Sequence, residues 1–290
     1  MFEGAYVAIV TPFTEDAEEI DDEHFKALVN EQIQAGIDGI VVSGTTGESP
    51  ALSRSEKQKL IDLSVDIVDQ RVSVIAGTGT SSTAETIDLT QYAQSAGCDG
   101  ALVVCPPYNK PNASGLYRHY SRLEDQTNLP IILYDNPGRS ATSIDAETVI
   151  KLAELEGVKA IKEASGDLTH SMKIREHSDL NLLSGSDALT YPLLALGGNG
   201  VITVSANVVP EQISTMVHSY LNGDHERSRK LHEKLFPLMD LLMSETNPIP
   251  VKAALAMMGR INGELRSPLC EARDSTRDQL RDELARLGRL

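Results

Sequence analysis

Short apolar runs bounded by glycine and proline recur along this chain, separated by longer stretches in which apolar residues return at helical spacing. The runs begin near Ala5 (AYVAIVTP), Gly39 (GIVVSG), Ser73 (SVIAGTG), Gly100 (GALVVCPP), Pro130 (PIILYDNP), Val158 (VKAIKEAS), Asn181 (NLLSGSD) and Gly200 (GVITVSAN). Successive starts lie 34, 34, 27, 30, 28, 23 and 19 residues apart, the pitch of a βα unit. Their apolarity is continuous rather than alternating, as strands covered on both faces require.

The intervening segments read as helices. Phe25, Leu28, Val29 and Ile33 fall at i, i+3, i+4 and i+8, with Asp21 or Asp22 as a cap and Gly36 as a stop. Ser53-Arg-Ser-Glu56 has the form of a capping box ahead of Leu60, Leu63 and Ile67, and Ser82-Thr-Ala-Glu85 repeats the signal. Strands alternating with helices, joined by right-handed crossovers, predict a closed (β/α)8 TIM barrel over residues 1–208. A doubly wound open sheet is the alternative, but no GxGxxG follows the first strand.

After Asn207 the strand pattern stops, and residues 209–290 read as a C-terminal helical domain packed on the barrel. One helix starts at Pro210 and a second near Asp224, with Pro237 as a kink point. A third starts near Pro248-Ile-Pro250, and a charged last helix carries Leu280, Leu284 and Leu287.

Composition narrows the function classes. The 290 residues carry 26 Lys+Arg against 42 Asp+Glu, a net charge of −16. That balance excludes a binder that tracks nucleic-acid phosphates, and it disfavours an anionic membrane surface. No apolar run reaches the ~18 residues of a membrane span. Met-Phe-Glu-Gly-Ala-Tyr has no basic region ahead of an apolar stretch, so no secretory leader is expected. Cys98, Cys105 and Cys270 lack metal-ligand spacing and suit a reducing cytoplasm. The seven histidines are scattered, so no metal site is expected.

Candidate chemistry sits where barrel strands end, since barrel sites form at the C-terminal face. The second run ends in Ser43-Gly-Thr-Thr-Gly-Glu48, which offers hydroxyls and backbone N–H groups, or simply a flexible turn. The fifth ends in Tyr134-Asp-Asn-Pro-Gly-Arg139. The sixth places Lys162 inside an otherwise apolar run. An inward lysine must pair its charge or lose it, and a neutral lysine forms a Schiff base with a ketone. On the outer face it would instead snorkel to solvent. A phenol on the neighbouring strand end suits the proton transfers of imine chemistry. Glu163 should face the opposite side of its strand from Lys162.

Five ordered motifs resemble the dihydrodipicolinate synthase and N-acetylneuraminate lyase family of class I aldolases. They are Gly44-Thr-Thr-Gly-Glu-Ser49, Cys105-Pro-Pro-Tyr-Asn-Lys-Pro111, Tyr134 to Arg139, Ile161-Lys-Glu-Ala-Ser-Gly166 and Asn247-Pro-Ile-Pro-Val-Lys252, and they span essentially the whole chain. The resemblance implies a homotetramer built as a dimer of dimers, with no cofactor. It implies that Lys162 forms an imine with pyruvate, and that Tyr134 shuttles protons through Thr45 and a Tyr108 reaching in from a neighbouring subunit. Thr46 would hold the pyruvate carboxylate, with Gly185 and Ile202 lining the pocket.

The resemblance also bears on the second substrate. Arg139 stands where the synthases bind the carboxylate of L-aspartate-4-semialdehyde, which implies synthesis of 4-hydroxy-tetrahydrodipicolinate for lysine and diaminopimelate. An aldolase for a 2-keto-3-deoxy sugar acid is the enzymatic alternative, and a non-catalytic binding protein on the same fold is the other. Asp135 replaces a common asparagine. Where lysine-inhibited synthases build their effector pocket, this chain has Pro107, Arg54 or Lys57, and Ser81, with Glu85 kept, so feedback inhibition is not expected.

Overall fold

The computed structural model describes residues 2–290. Its parallel strands are β1 (Gly4–Ala8), β2 (Gly39–Val42), β3 (Ser73–Gly77), β4 (Gly100–Val104), β5 (Ile131–Asp135), β6 (Val158–Glu163), β7 (Asn181–Ser184) and β8 (Gly200–Thr203). They pair in chain order, and β8 closes on β1, so the TIM barrel expected from the apolar runs is present.

Alternation along the strands separates two apolar layers. Inside the barrel lie Phe2, Tyr6, Ala8, Val41, Ile75, Leu102, Ile132, Tyr134, Ala160, Leu183 and Ile202. Their strand neighbours, such as Val7, Val103, Leu133 and Ile161, belong to the larger layer under the helices. The interior tapers around large rings: a Cβ on Gly39 would come within 2.6 Å of the Tyr6 ring. The same alternation decides where the charged residues of β6 point. Ala160 and Lys162 face inward, whereas Ile161 and Glu163 face the helices.

The outer helices start where their caps direct. The Asp21 carboxylate accepts from His24 N–H at the start of α1 (Asp22–Gln34). Ser53 and Glu56 complete a reciprocal capping box on α2 (Arg54–Val68). Ser82 caps α3 (Thr83–Ala96) and Asn112 caps α4 (Ala113–Glu124). The β5–β6 connection departs from the one-helix pattern. Pro137 opens a single turn, α5 (Pro137–Ser140), which ends at Ala141 with φ 57°, and α6 (Ala146–Leu152) follows. That short turn carries Arg139.

α7 (Leu168–His177) and α8 (Thr190–Ala195) complete the next two units. α9 (Pro210–Leu221) follows β8 and lies against β1 and α1. Ser214 Oγ donates to the Gly36 carbonyl at 2.6 Å, and His218 Nε2 lies 2.9 Å from Asp38. By these contacts α9, just beyond the expected boundary at residue 208, joins the ring around the barrel while also supporting α10 (His225–Leu241). α10 runs unbroken through Pro237. α11 (Ile249–Met257) and α12 (Asp274–Arg286) complete the C-terminal region, with Leu280 and Leu284 fully buried.

Cys98 and Cys105 are buried, and burial, reinforced by Asp99 and Asp135 respectively, pushes both thiols up to about 12. Cys270 is exposed. No helix among the described residues is long and apolar enough to cross a membrane.

Candidate active site

The C-terminal ends of β2, β5, β6, β7 and β8 converge on one mouth of the barrel. Register pairs Tyr134 on β5 with Lys162 on β6, and Lys162 with Leu183 on β7. Lys162 is 6% exposed, and its Nζ stands 4.5 Å from the centroid of the Tyr134 ring. Gly185, just beyond β7, makes this approach possible. A Cβ there would sit 2.6 Å from Ala164 Cβ and 3.1 Å from Lys162 Cγ. Ile202 lines the same interior from β8.

Burial alone would raise the pKa of the Tyr134 phenol, because it disfavours the phenolate. The Lys162 charge overrides this, together with the side chains of Asn136 and Thr45 and the charge of Arg139, so the phenol titrates below its ordinary range. Asn136 Nδ2 donates to the phenol oxygen at 2.9 Å. A phenol poised this way is suited to give and take protons beside an amine.

The β2 turn supplies polar groups to the same mouth. Thr46 is buried, and its Oγ1 accepts from Asn247 Nδ2 at 2.9 Å. The Asn247 carbonyl in turn accepts from Arg139 Nη2 at 2.9 Å. Asn247, two residues ahead of α11, therefore links the turn after β2 to the turn after β5. Thr46 and Arg139 thus lie at two ends of one hydrogen-bonded chain.

Behind the site, on the outer face of the sheet, Asp135 pairs with Glu163 in register. Both are buried, and with His170 their side-chain donor atoms lie within 4.8 Å of one another. Asp135 accepts from Ser143 Oγ at 2.6 Å and Ile144 N–H at 3.1 Å. Burial, with Glu163 adding to it, still holds Asp135 above the ordinary carboxylate range. Glu163 accepts from Ser165 N–H at 2.6 Å and Ser171 Oγ at 3.1 Å. His170 Nε2 must donate to the Ile144 carbonyl at 3.0 Å, leaving Nδ1 unpartnered and 3.9 Å from Glu163. The histidines' sequence positions gave no sign of this grouping, because strand register and the start of α7 create it.

Comparison with known proteins fits this geometry. The family model for the dihydrodipicolinate synthetase family matches residues 1–287. The chain belongs to that family.

Proteins called 4-hydroxy-tetrahydrodipicolinate synthase from Methanocaldococcus jannaschii and Thermodesulfovibrio yellowstonii are 46% and 47% identical to it, over 99% of this chain and 99% of theirs. A crystal structure of a dihydrodipicolinate synthase, 46% identical, superposes with a TM-score of 0.97 and full coverage of both chains. Membership makes the chain an enzyme of the dihydrodipicolinate synthetase family.

Within this family member, one residue singled out from the sequence stays apart from the rest. Tyr108 is 93% exposed, on the loop after β4, with φ 71°. Conversely, Asn136 and Asn247 touch site residues without having been singled out individually. Asn247 opens the Asn-Pro-Ile-Pro-Val-Lys motif, which marked its importance but not its contacts.

Proposed function

We propose that this family member condenses pyruvate with L-aspartate-4-semialdehyde through a Schiff base at Lys162. The observation that carries the reading is the inward Lys162 amine beside the Tyr134 ring at the mouth of the barrel. The names of its relatives and the Thr46–Asn247–Arg139 connection support the choice of substrates.

The unprotonated Lys162 amine attacks the pyruvate ketone, and water leaves as the imine forms. Thr46 and the backbone of its turn donate to the pyruvate carboxylate, an arrangement that stabilises a fixed anion. The imine acidifies the methyl carbon, which loses a proton to give an enamine. The enamine carbon attacks the aldehyde, and the new alkoxide takes a proton by way of Tyr134. Arg139 binds the carboxylate of the semialdehyde. The semialdehyde amine then attacks the imine carbon, closing the ring and freeing Lys162. The sum is pyruvate plus semialdehyde giving 4-hydroxy-tetrahydrodipicolinate plus one water.

Thr45 relays protons between Tyr134 and a second phenol. The exposure of Tyr108 suits a group that completes the site of another copy rather than its own. We read the protein as a cytoplasmic dimer of dimers, each chain a barrel whose ring of helices α9 completes, bearing the remaining helices from α10 onward.

Turnover with pyruvate and either L-aspartate-4-semialdehyde or the aldehyde of a 2-keto-3-deoxy sugar acid tests the reading. Turnover with the semialdehyde is expected. Preference for the sugar aldehyde would assign the chain to the other aldolases, and borohydride trapping no pyruvate at Lys162 would remove the Schiff-base mechanism.

A further inference from the structure

Lys252 is fully buried within α11, and its Nζ lies 2.6 Å from Oε1 of Glu48, which is buried too. The second oxygen of Glu48 accepts from the Arg266 N–H at 3.0 Å. Both cations lie against one ring: Lys252 Nζ is 4.2 Å from the Phe13 centroid, and the Arg266 guanidinium is 4.4 Å from it. Burying two opposite charges is a poor way to gain stability, since a neutral pair of similar shape serves as well or better. Position in the fold points to another use.

Glu48 ends the turn that carries Thr45 and Thr46, and it does so in the left-handed region with φ 55°. Glu48 N–H donates to the Thr45 carbonyl at 3.1 Å, and Ser49 N–H to the Gly44 carbonyl at 3.2 Å. Thr11 Oγ1 donates to the Gly47 carbonyl at 2.8 Å. The Glu48 side chain is thus the handle by which α11 holds a turn already closed on itself, and Asn247, five residues before Lys252, holds Thr46 from the same direction.

We infer that Lys252 and Glu48 are a positioning pair that fixes the Gly44–Glu48 turn so that Thr45 and Thr46 meet bound pyruvate. The inference rests on the reading in which Thr46 receives the pyruvate carboxylate at Lys162. Neither Lys252 nor Glu48 touches substrate. Their effect is on the order of the turn, so it falls on pyruvate capture rather than on the chemical step.

The test measures borohydride trapping of pyruvate as a function of its concentration, steady-state turnover and Tm, in wild type, Glu48→Gln, Lys252→Met and the double variant. Each single variant leaves one buried charge unpaired and is expected to lose stability. The double variant has no unpaired charge, and its Tm is expected within about 2 °C of wild type. All three are expected to need about tenfold more pyruvate for half-maximal trapping, with kcat at saturation within about threefold of wild type. A double variant that regains both Tm and the wild-type pyruvate requirement would reduce the pair to a structural contact and overturn the inference. So would single variants whose kcat collapses while their pyruvate requirement stays put. If wild type traps no pyruvate at all, the Lys162 reading falls and takes this one with it.

Discussion

Lys162 and Tyr134 face one another across adjacent strands, with the amine 4.5 Å from the ring centroid and the two residues in direct register. Neither can be moved independently, because β5 and β6 stay paired without a shift from Ile132 and Ala160 through Asp135 and Glu163. In the proposed mechanism one residue carries the imine and the other transfers protons, and the two roles separate experimentally. Lys162→Ala is expected to abolish both pyruvate trapping and turnover. Tyr134→Phe is expected to keep trapping while kcat falls by about 10² to 10⁴, the usual scale for losing a general acid–base group. Trapping that persists without Lys162, seen by mass spectrometry, would place the nucleophile elsewhere.

Arg139 is exposed on α5 and bonds the Asn247 carbonyl with one nitrogen, leaving the rest of its fork available. Arg139→Ala is expected to raise the semialdehyde KM by more than about tenfold, as loss of a charged hydrogen-bonding partner does. The pyruvate trapping curve is expected to stay nearly in place. Equal losses in both assays would show that the arginine serves the site as a whole.

Tyr108 projects into solvent, so its role is testable only in an assembly. Lys162→Ala and Tyr108→Phe are each expected to be nearly inactive. In a two-fold dimer re-formed from equal amounts of both, half the dimers are hybrids with one restored site each. About a quarter of all sites should then recover, given symmetric pairing. Hybrids confirmed by native mass spectrometry yet inactive would mean that Tyr108 acts within its own chain or not at all.

Much of this was legible in the sequence. Strands covered on both faces leave uninterrupted apolar runs, and all eight strands begin within a residue of the expected starts. Lys162 stood out because it interrupts such a run. What stayed hidden are contacts made by distant segments. Asn247 and Thr46 are 201 positions apart, and nothing local to either names the other. Glu48 and Lys252 stand in two separate motifs, and nothing local to either shows that the fold buries them together. Asp135, Glu163 and His170 meet only because register aligns two strand ends above the first turn of α7.

That last cluster carries a stability prediction. The folded chain holds the Asp135 proton more tightly than the ordinary value of 3.8, chiefly through burial. Between the ordinary and the raised value the folded state binds more protons than the unfolded one, so this group's contribution falls as pH rises. Asparagine removes the charge while its amide can donate toward Glu163 or His170. Asp135→Asn is expected to raise Tm by about 2 °C at pH 7, with the gain shrinking toward pH 4. Calorimetry showing the same gain at both pH values, or a loss at pH 7, would contradict the assignment.

Regulation gives a further expectation. Glu85, at the position where the resemblance implies an acidic effector-pocket group, acts on Lys57, whose ammonium burial holds below its ordinary range despite that carboxylate. Arg54 pairs with Asp88 at 2.7 Å on the same face. Cations of the chain itself thus occupy the electrostatic role that a lysine ligand would need. Millimolar L-lysine is expected to leave the rate within about twofold, a difference worth less than 0.5 kcal/mol. Saturable inhibition in a steady-state assay would show otherwise.

The three cysteines divide two to one, and this makes the native protein a reagent for its own assembly. The thiolate is what attacks a thiol-reactive dye, and Cys98 and Cys105 are buried with thiols pushed up to about 12, whereas Cys270 is exposed. A maleimide fluorophore should therefore attach once per folded chain, with no residue changed. Donor- and acceptor-labelled pools mixed together would report subunit exchange through energy transfer, supplying the control that the Tyr108 hybrids require. Unfolding opens the other two thiols, so the number of dyes taken up also counts the chains that have lost their barrel.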